Sequence, residues 1–385
     1  MSLYPVTKST LVTFRKELHK NPELSGYEKR TSQAIVNFIA PTNPTKIITN
    51  IGGYGVAAVY DSGLPGPTVL FRADMDALPI QESNQFPHRS SSKGVAHLCG
   101  HDGHATILAG FSYSLLKNPP PKGKVVLLFQ PAEETGEGAA RVIADTLFSE
   151  IKPSYAFGLH NLPGFEQGTF FVRDGAFASA SKGMVIELKG LPSHAAHPED
   201  GNNPDQALAQ LILGLNSLVP ANNQFSNFTL VTVIHAKLGE VAFGTTPGNA
   251  VVMATLRSFE NPDMDTLTLL AEKLVHSVCT QYGISYKVSY QEEFPATTNS
   301  AQCVNMVRAA CQQLNLPLME LDSPFRWSED FGHFSKLCST AFFGVGAGVN
   351  HPQLHNENYD FPDDIIPKAI QVFEAILNQL LVNTK

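Results

Sequence analysis

The chain has no apolar run long enough to span a bilayer. It has no basic excess either. Its 27 Lys and Arg stand against 35 Asp and Glu, and a net charge of −8 with no basic stripe argues against nucleic acid as a main partner. Cysteine is scarce and odd in number. The five residues Cys99, Cys279, Cys303, Cys311 and Cys338 are scattered, which in a chain this large is not a disulfide framework. Met1 to Arg15 hold no apolar core of signal-peptide type, and no internal repeat is evident. These absences predict a cytoplasmic globular protein without membrane or nucleic-acid partners. At 385 residues, with 43% hydrophobic content, it is long for one core, so two domains are expected.

What is present reads as an alternation of strands and helices. Apolar residues recur at helical spacing from Ser9 to Ile39, broken by a turn at Asn21-Pro22. Val56–Tyr60 and Thr68–Arg72 are strand-like, Asp102 can cap a helix over Ala105–Leu116, and Lys124–Phe129 has the continuous apolar character of a buried strand. A helix near Gly138–Leu147 and a short strand at Ala156–Leu159 follow. The pattern changes around Ser179. Strand, helix, two strands, helix and strand then run from Met184 to Tyr290, a split-βαβ order typical of a small independent unit. A helix at Cys303–Leu314 and a strand at Ala341–Val345 resume the first pattern. The prediction is an α/β sheet domain (residues 1–179 plus 294–385) with a βαββαβ ferredoxin-like domain, 180–293, inserted.

Three motifs follow apolar runs: His97-Leu-Cys99-Gly-His101-Asp-Gly-His104, Gln130-Pro-Ala-Glu133-Glu134 and Gly158-Leu-His160-Asn161. A thiol, several imidazoles and an adjacent carboxylate pair suffice to hold divalent metal and activate water. The carboxyl ends of strands in such a sheet are where ligands gather. Each motif has a plainer reading: a buried Cys and core His at a helix start, solvated loop acids, a lone His. His104 reads as a helix-face or substrate-pocket residue. Glu133 and Glu134 leave a strand on opposite sides, so one can bind metal while the other acts as base. Asp74 and Asp76 follow a strand; Asp76 suits the orientation of a ligand His, with a structural cap as the alternative. His355 follows the glycine-rich Gly344–Gly348, and His351 competes with it.

Taken together, Arg72–Pro79, Cys99–His104, Gln130–Glu134, Gly158–His160, Ser193-His194-Ala-Ala196, Ser328-Glu-Asp-Phe331 and His355…Tyr359-Asp-Phe361 resemble the aminoacylase/carboxypeptidase metallopeptidases. The likeness is nearest to their amidohydrolase branch of hippurate, N-acyl-amino-acid and auxin-conjugate hydrolases. It implies a dinuclear-metal peptidase sheet domain. The ligands would be Cys99, His101, Glu134, His160 and His355, with Cys99 bridging two metals where other branches place an aspartate. It makes Glu133 the general base and Asp76 the orienting carboxylate. It makes the inserted domain a lid and homodimer interface, and brings His194 to the substrate carbonyl, in its own subunit or across that interface. Asn249 and Arg257 look like substrate-carboxylate and oxyanion contacts. His197, close to His194 in sequence, blurs which imidazole acts.

The resulting expectation is a metal-dependent amidohydrolase of small N-acyl-amino acids or related conjugates. Zinc, manganese, nickel or cobalt would each suit the mixed S/N/O ligand set. A dipeptidase or exopeptidase on the same fold is the nearest alternative. A catalytically silent binding protein is the alternative of another class.

Overall fold

The computed structural model describes residues 6–221 and 223–381. In chain order, α1 is Lys8–Lys20, α2 Lys29–Ile39, β1 Lys46–Ile51, β2 Gly55–Asp61, β3 Thr68–Asp74, α3 His101–Lys117 and β4 Lys124–Gln130. Then come α4 Gly138–Ala144, β5 Tyr155–Pro163, β6 Phe170–Val172, β7 Gly175–Ala178 and β8 Ala180–Lys189. They are followed by α5 Asp205–Ser217, β9 Thr229–Leu238, β10 Asn249–Ser258, α6 Asn261–Tyr282 and β11 Ser285–Phe294. The last are β12 Thr297–Asn299, α7 Ala301–Gln313, β13 Leu318–Glu320, α8 Gly332–Ser335, β14 Ser339–Gly348 and α9 Ile366–Leu381. Among the described residues no helix is long and apolar enough to cross a membrane.

The chain divides into two compact units. The larger comprises Met1–Phe177, Thr297–Ser323 and Asp330–Lys385; the smaller comprises Ala178–Ala296 with Pro324–Glu329. The larger is built on a mixed eight-stranded sheet in the order β1-β2-β4-β3-β5-β14-β6-β13. Its central strands β4, β3, β5 and β14 run parallel. Such strands are covered on both faces, which is why Val125 to Phe129 are apolar without alternation and wholly buried. Helices α1, α3 and α9 pack together, and the approach is close. A Cβ on Gly110 of α3 would fall 2.6 Å from Ile370 of α9. Phe71 of β3 is the hub of an aromatic cluster, with ring centroids 5.0 Å from Phe111, 5.6 Å from Phe157 and 4.9 Å from Phe373. Each such buried ring contributes roughly 2–3 kcal/mol by area alone.

The smaller unit is an antiparallel sheet in the order β11-β8-β10-β9, with α5 and α6 packed on it. Its strands alternate. In β10, Ala250, Val252, Ala254 and Leu256 are buried while Asn249, Val251, Met253, Thr255 and Arg257 stand on the other face. The element order matches the split-βαβ expectation.

Two local expectations need correction. Asp102 is not the cap of α3. Gly100 occupies that position, at φ +98°, and Asp102 lies inside the first turn with its carboxylate on His19 and Arg15. The cap pattern is a local signal, and here two buried cations 83 and 87 residues away in sequence outcompete the helix amides. Strand β5 also does not stop at Leu159; it continues through His160 to Pro163, because β14 pairs along its whole length.

Candidate metal centre

The ends of the parallel strands position the larger unit's polar residues. Asp74 closes β3, the Glu133-Glu134 pair follows β4, and His160 lies in β5. The Cys99–His101 turn enters α3 from the same side. Both glycines of the Cys99–His104 motif are needed, Gly100 in the turn and Gly103 in the first turn of α3. A Cβ on Gly100 would fall 2.2 Å from Asn161 Oδ1, and one on Gly103 2.3 Å from the Phe361 ring. The His355 segment is tied in by its backbone, with His355 N donating to Leu98 O at 2.8 Å and φ at +66°.

These segments bring Cys99, His101, Glu133, Glu134, His160 and His355 together. The potential ligand atoms of Cys99, His101 and His160 all lie within 4.8 Å of one another, as do those of Cys99, Glu134 and His355, and those of His101, Glu133 and Glu134. Cys99 Sγ is 3.5 Å from His160 Nε2, and His101 Nε2 is 3.7 Å from Glu134 Oε1 and 3.9 Å from Glu133 Oε2. His355 Nε2 is 3.7 Å from Glu134 Oε2.

Hydrogen bonds on the far side of each ring fix the tautomers. His101 Nδ1 donates to Asp76, 3.0 Å from its carbonyl and 3.2 Å from Oδ1, so the Nε2 lone pair faces the cluster. His160 Nδ1 donates to the Asn161 carbonyl at 2.8 Å, which turns its Nε2 toward Cys99. Asp76 Oδ2 also accepts from the amide of Glu134 at 3.1 Å and from Ser25 Oγ at 2.7 Å. By contrast, His351 Nε2 donates to the Asp360 carbonyl at 2.7 Å, a structural bond that removes it from competition with His355.

The electrostatics call for a cation. Burial, reinforced by Glu134, pushes the Cys99 thiol well up. Burial also pushes the Glu134 carboxyl up to about 7, with His101 opposing and Asp76 and Asp74 adding. Burial holds His160 well below the ordinary imidazole value, helped by neighbouring His104. His101 Nε2 and Glu134 Oε1 are buried with no hydrogen-bond partner among the described residues. Burial alone would lower His101, but Asp74, Cys99 and Asp76 override it and raise His101 well above the ordinary imidazole value. A thiol and a carboxyl that are costly to ionise, the depressed His160 imidazole and the orphaned polar atoms are what a divalent cation satisfies. The residues therefore fit a metal.

A further polar layer lies behind this cluster. His104 is not on an open helix face. It is buried, with Nδ1 2.7 Å from Asp74 Oδ1 and Nε2 2.6 Å from the Asn161 side chain, which itself reaches Tyr359 Oη at 2.5 Å. Arg72 donates to Asp74 and Asp330 at 2.7 Å each and to Gln130 at 2.9 Å, all buried. The motifs around Arg72, Gln130 and Asp330, remote in sequence, thus meet in one ion-pair network. Sequence reasoning passes over Arg15, His19, Ser25, Glu28 and Asn161. Ser25 and Glu28 lie in residues that read as helix after the Asn21-Pro22 turn, whereas the structure has no helix between Lys20 and Lys29; the one available signal is three polar side chains, Glu23, Ser25 and Glu28, in six residues.

In the smaller unit His194 is exposed on a turn held by backbone bonds. Ala195 N donates to Gly244 O at 3.0 Å and Thr246 N to Ser193 O at 2.8 Å. His194 Nδ1 accepts from Ala196 N at 3.1 Å, leaving Nε2–H as an outward donor. His197 is also exposed, 3.6 Å from Glu199. Asn249 lines a groove of about 880 Å³ together with Thr245, Thr246 and Lys189. Arg257 is half-buried and donates to Arg326 O at 2.9 Å and Ser328 Oγ at 3.0 Å.

The cluster at the strand ends is buried or nearly so except at His355, whose side chain is half-exposed. Residues 70–379 match the model of Peptidase family M20/M25/M40, and the chain belongs to that family. It is 30% identical over 378 residues to an uncharacterized hydrolase of Staphylococcus aureus strain bovine RF122, covering 94% of this chain and 96% of that one. In fold it is similar to a dinuclear metal-binding peptidase of the M20 family from Bacillus subtilis, with a TM-score of 0.82, 24% identity, and 97% and 98% of the two chains covered. It is similar also to the aminobenzoyl-glutamate utilization protein of Klebsiella pneumoniae, with a TM-score of 0.74, 20% identity, and 96% and 95% covered.

Proposed function

We propose that the protein is a two-metal amidohydrolase that cleaves the amide of small N-acyl-amino acids or related conjugates to a carboxylic acid and an amino acid. One observation carries the reading: His101 Nε2 and Glu134 Oε1 are buried without a hydrogen-bond partner among the described residues, beside the Cys99, His160, His355 and Glu133 donors. Cys99, His101, Glu134, His160 and His355 would hold the metals, with Cys99 common to the two sets. When bound, divalent metal polarises the scissile carbonyl and acidifies the attacking water. Glu133 takes the proton from that water and returns it to the amide nitrogen as the C–N bond breaks. Asp76 keeps His101 in the tautomer whose Nε2 is free to bind. His194 offers its Nε2–H to the developing oxyanion. Asn249 and Arg257 recognise the substrate's carboxylate and oxyanion. The smaller unit serves as lid and homodimer interface, and the enzyme works in the cytoplasm. The relative named for aminobenzoyl-glutamate utilization supports an acylated amino acid as the substrate class.

The test is a hydrolysis screen of N-acetyl-, N-benzoyl- and indole-acetyl-amino acids against unblocked dipeptides, with metal content measured on the same sample. Blocked substrates should turn over, with about two metals per chain. Turnover confined to free-amine dipeptides would overturn the substrate class in favour of a dipeptidase.

A further inference from the structure

Between α1 and α2 the chain runs through residues 21–28, a segment without helix and with a single β-bridge, Leu24 to Ala77. Its polar groups and those of α1 reach residues adjoining three of the four segments that carry candidate ligands, those of His101, Glu134 and His355. Arg15 donates to Asp360 at 2.7 Å and Asp363 at 2.8 Å, beyond His355 in the chain, and lies 3.4 Å from Asp102. His19 Nδ1 meets Asp102, the neighbour of His101, at 2.9 Å. Ser25 donates to Asp76, which holds His101 and the Glu134 amide. Glu28 Oε1 accepts from Ala132 N at 2.9 Å, immediately before Glu133 and Glu134, and from Gly26 N at 2.8 Å.

Glu28 is the most telling of these. It stands at the N-cap of α2 yet makes no side-chain bond to that helix. Its carboxylate, on a residue with 0% exposure, is spent on an amide 104 residues away. Burying a carboxylate is costly, and a Ser or Asp would cap α2 without that cost. The amide it reaches is a special one. Ala132 has φ +54°, a left-handed conformation that costs an L residue on the order of 1 kcal/mol. That backbone turn sets the angle at which Glu133 and Glu134 leave β4, so that both carboxylates face His101. The Ala132 carbonyl is fixed in turn by Gly138 N at 3.0 Å.

We propose that Glu28 is a positioning residue for the Glu133–Glu134 pair, acting through the Ala132 amide, within an outer frame, residues 15–28, that braces the metal centre. The inference rests on the roles given above to Glu133 and Glu134. It is tested on the full-length protein with Glu28→Leu, Glu28→Asp and Glu28→Gln. Chelator-stripped protein is titrated with Co²⁺ and followed by its visible spectrum. In parallel, kcat and KM are measured separately on the substrate found by the screen.

Glu28→Leu should bind Co²⁺ about 10-fold or more weakly with an altered spectrum, and lose about 10- to 100-fold in kcat with KM within about 3-fold, as expected for a displacement of the order of 1 Å. Glu28→Gln keeps an oxygen for both amides and should recover most of both losses. Glu28→Asp withdraws the carboxyl by one methylene and should fall between the two; it carries the test if the Leu variant does not fold. Adding Ala132→Gly to Glu28→Leu should restore part of kcat, because glycine adopts φ +54° without the Cβ penalty. Folded Asp and Leu variants with wild-type Co²⁺ affinity, spectrum and kcat would overturn the proposal. So would a Gln variant as impaired as the Leu one. Failure of the catalytic reading shows elsewhere: full activity in Glu133→Gln removes the base assignment, while a Co²⁺ shift in Glu28→Leu still supports the frame.

Discussion

The metal centre and the His194 turn are built in opposite ways. In the larger unit several polar groups of the cluster have a second attachment. His101 is held by Asp76, Asp76 by Ser25, Asp74 by Arg72 and His104, and Glu134 through its amide. In the smaller unit His194 is exposed, and its turn is held by backbone bonds and by Ser193 on Thr246. Affinity for a small, highly charged ion needs donors fixed in advance, because each misplaced donor loses a large electrostatic energy. A single donor to a transient oxyanion needs only reach and orientation. Substitutions should therefore separate. Those in the buried cluster and its supports should move metal content or stability, whereas those at the exposed turn should move turnover alone.

Glu133→Gln is the severest test of that division, because Glu133 sits in the cluster but is assigned no metal. Metal content should stay near wild type while kcat falls by roughly 10²–10⁴; metal loss measured on the purified variant would make Glu133 a ligand. Arg72→Met should act on stability. It leaves Asp74 and Asp330 buried beside an apolar side chain, and breaking a buried ionic network by removing one partner costs about 3–5 kcal/mol. Urea unfolding should show that drop, and an unchanged midpoint would mean the network contributes nothing net. His194→Ala should keep its metal and stability and lose roughly 10²–10³ in kcat, with His197→Ala milder. If His194 acts across a dimer, mixing His194→Ala with Glu133→Gln subunits should restore activity in the heterodimer.

The smallest expected effect is pH-dependent. Burial alone would lower the pKa of His19, but the hydrogen bonds it donates to Asp102 and Glu82 override burial and raise it to about 9. A raised folded-state pKa gives stability that is fully present below the unfolded value, about 6.5, and is lost as pH climbs through the folded value. The advantage of wild type over His19→Gln should thus be largest near pH 6 and shrink by pH 10, by on the order of 2–3 kcal/mol. Urea midpoints of both proteins at the two pH values decide it; a gap independent of pH would assign His19 a packing role only.

Legibility in the sequence followed the range of the interactions. The central strands and the βαββαβ order are legible because apolar periodicity is local, and the Cys99–His104 and Glu133-Glu134 motifs stand out because each places two or more potential donors within a few residues. The edge strands β1 and β13 carry little local signal, being short and half-exposed, and the place of α9 is decided by α3, more than 200 residues earlier. Asp102 shows the limit most clearly. Its local pattern is that of a cap, and its actual partners are cations on α1. The buried bond between His104 and Asn161 is invisible for the same reason, since nothing near either residue in sequence announces it. Glu28 was invisible because its partner is a backbone amide, which leaves no mark on the sequence at all.

The position of β14 has a consequence for biosynthesis. This strand lies between β5 and β6 in the sheet, although the chain supplies it more than 160 residues after β6. As the polypeptide leaves the ribosome, β5 has an open edge of unpaired amides and carbonyls until residue 348 has emerged. The smaller unit's four strands are all synthesised during that interval. A nascent or prematurely terminated chain therefore exposes a largely apolar edge, with Tyr155 and Phe157, of the kind that recruits other chains. Stop codons between 300 and 339 should then yield aggregates rather than a soluble, inactive fragment, and a chaperone that engages this protein during translation would find its target at β5.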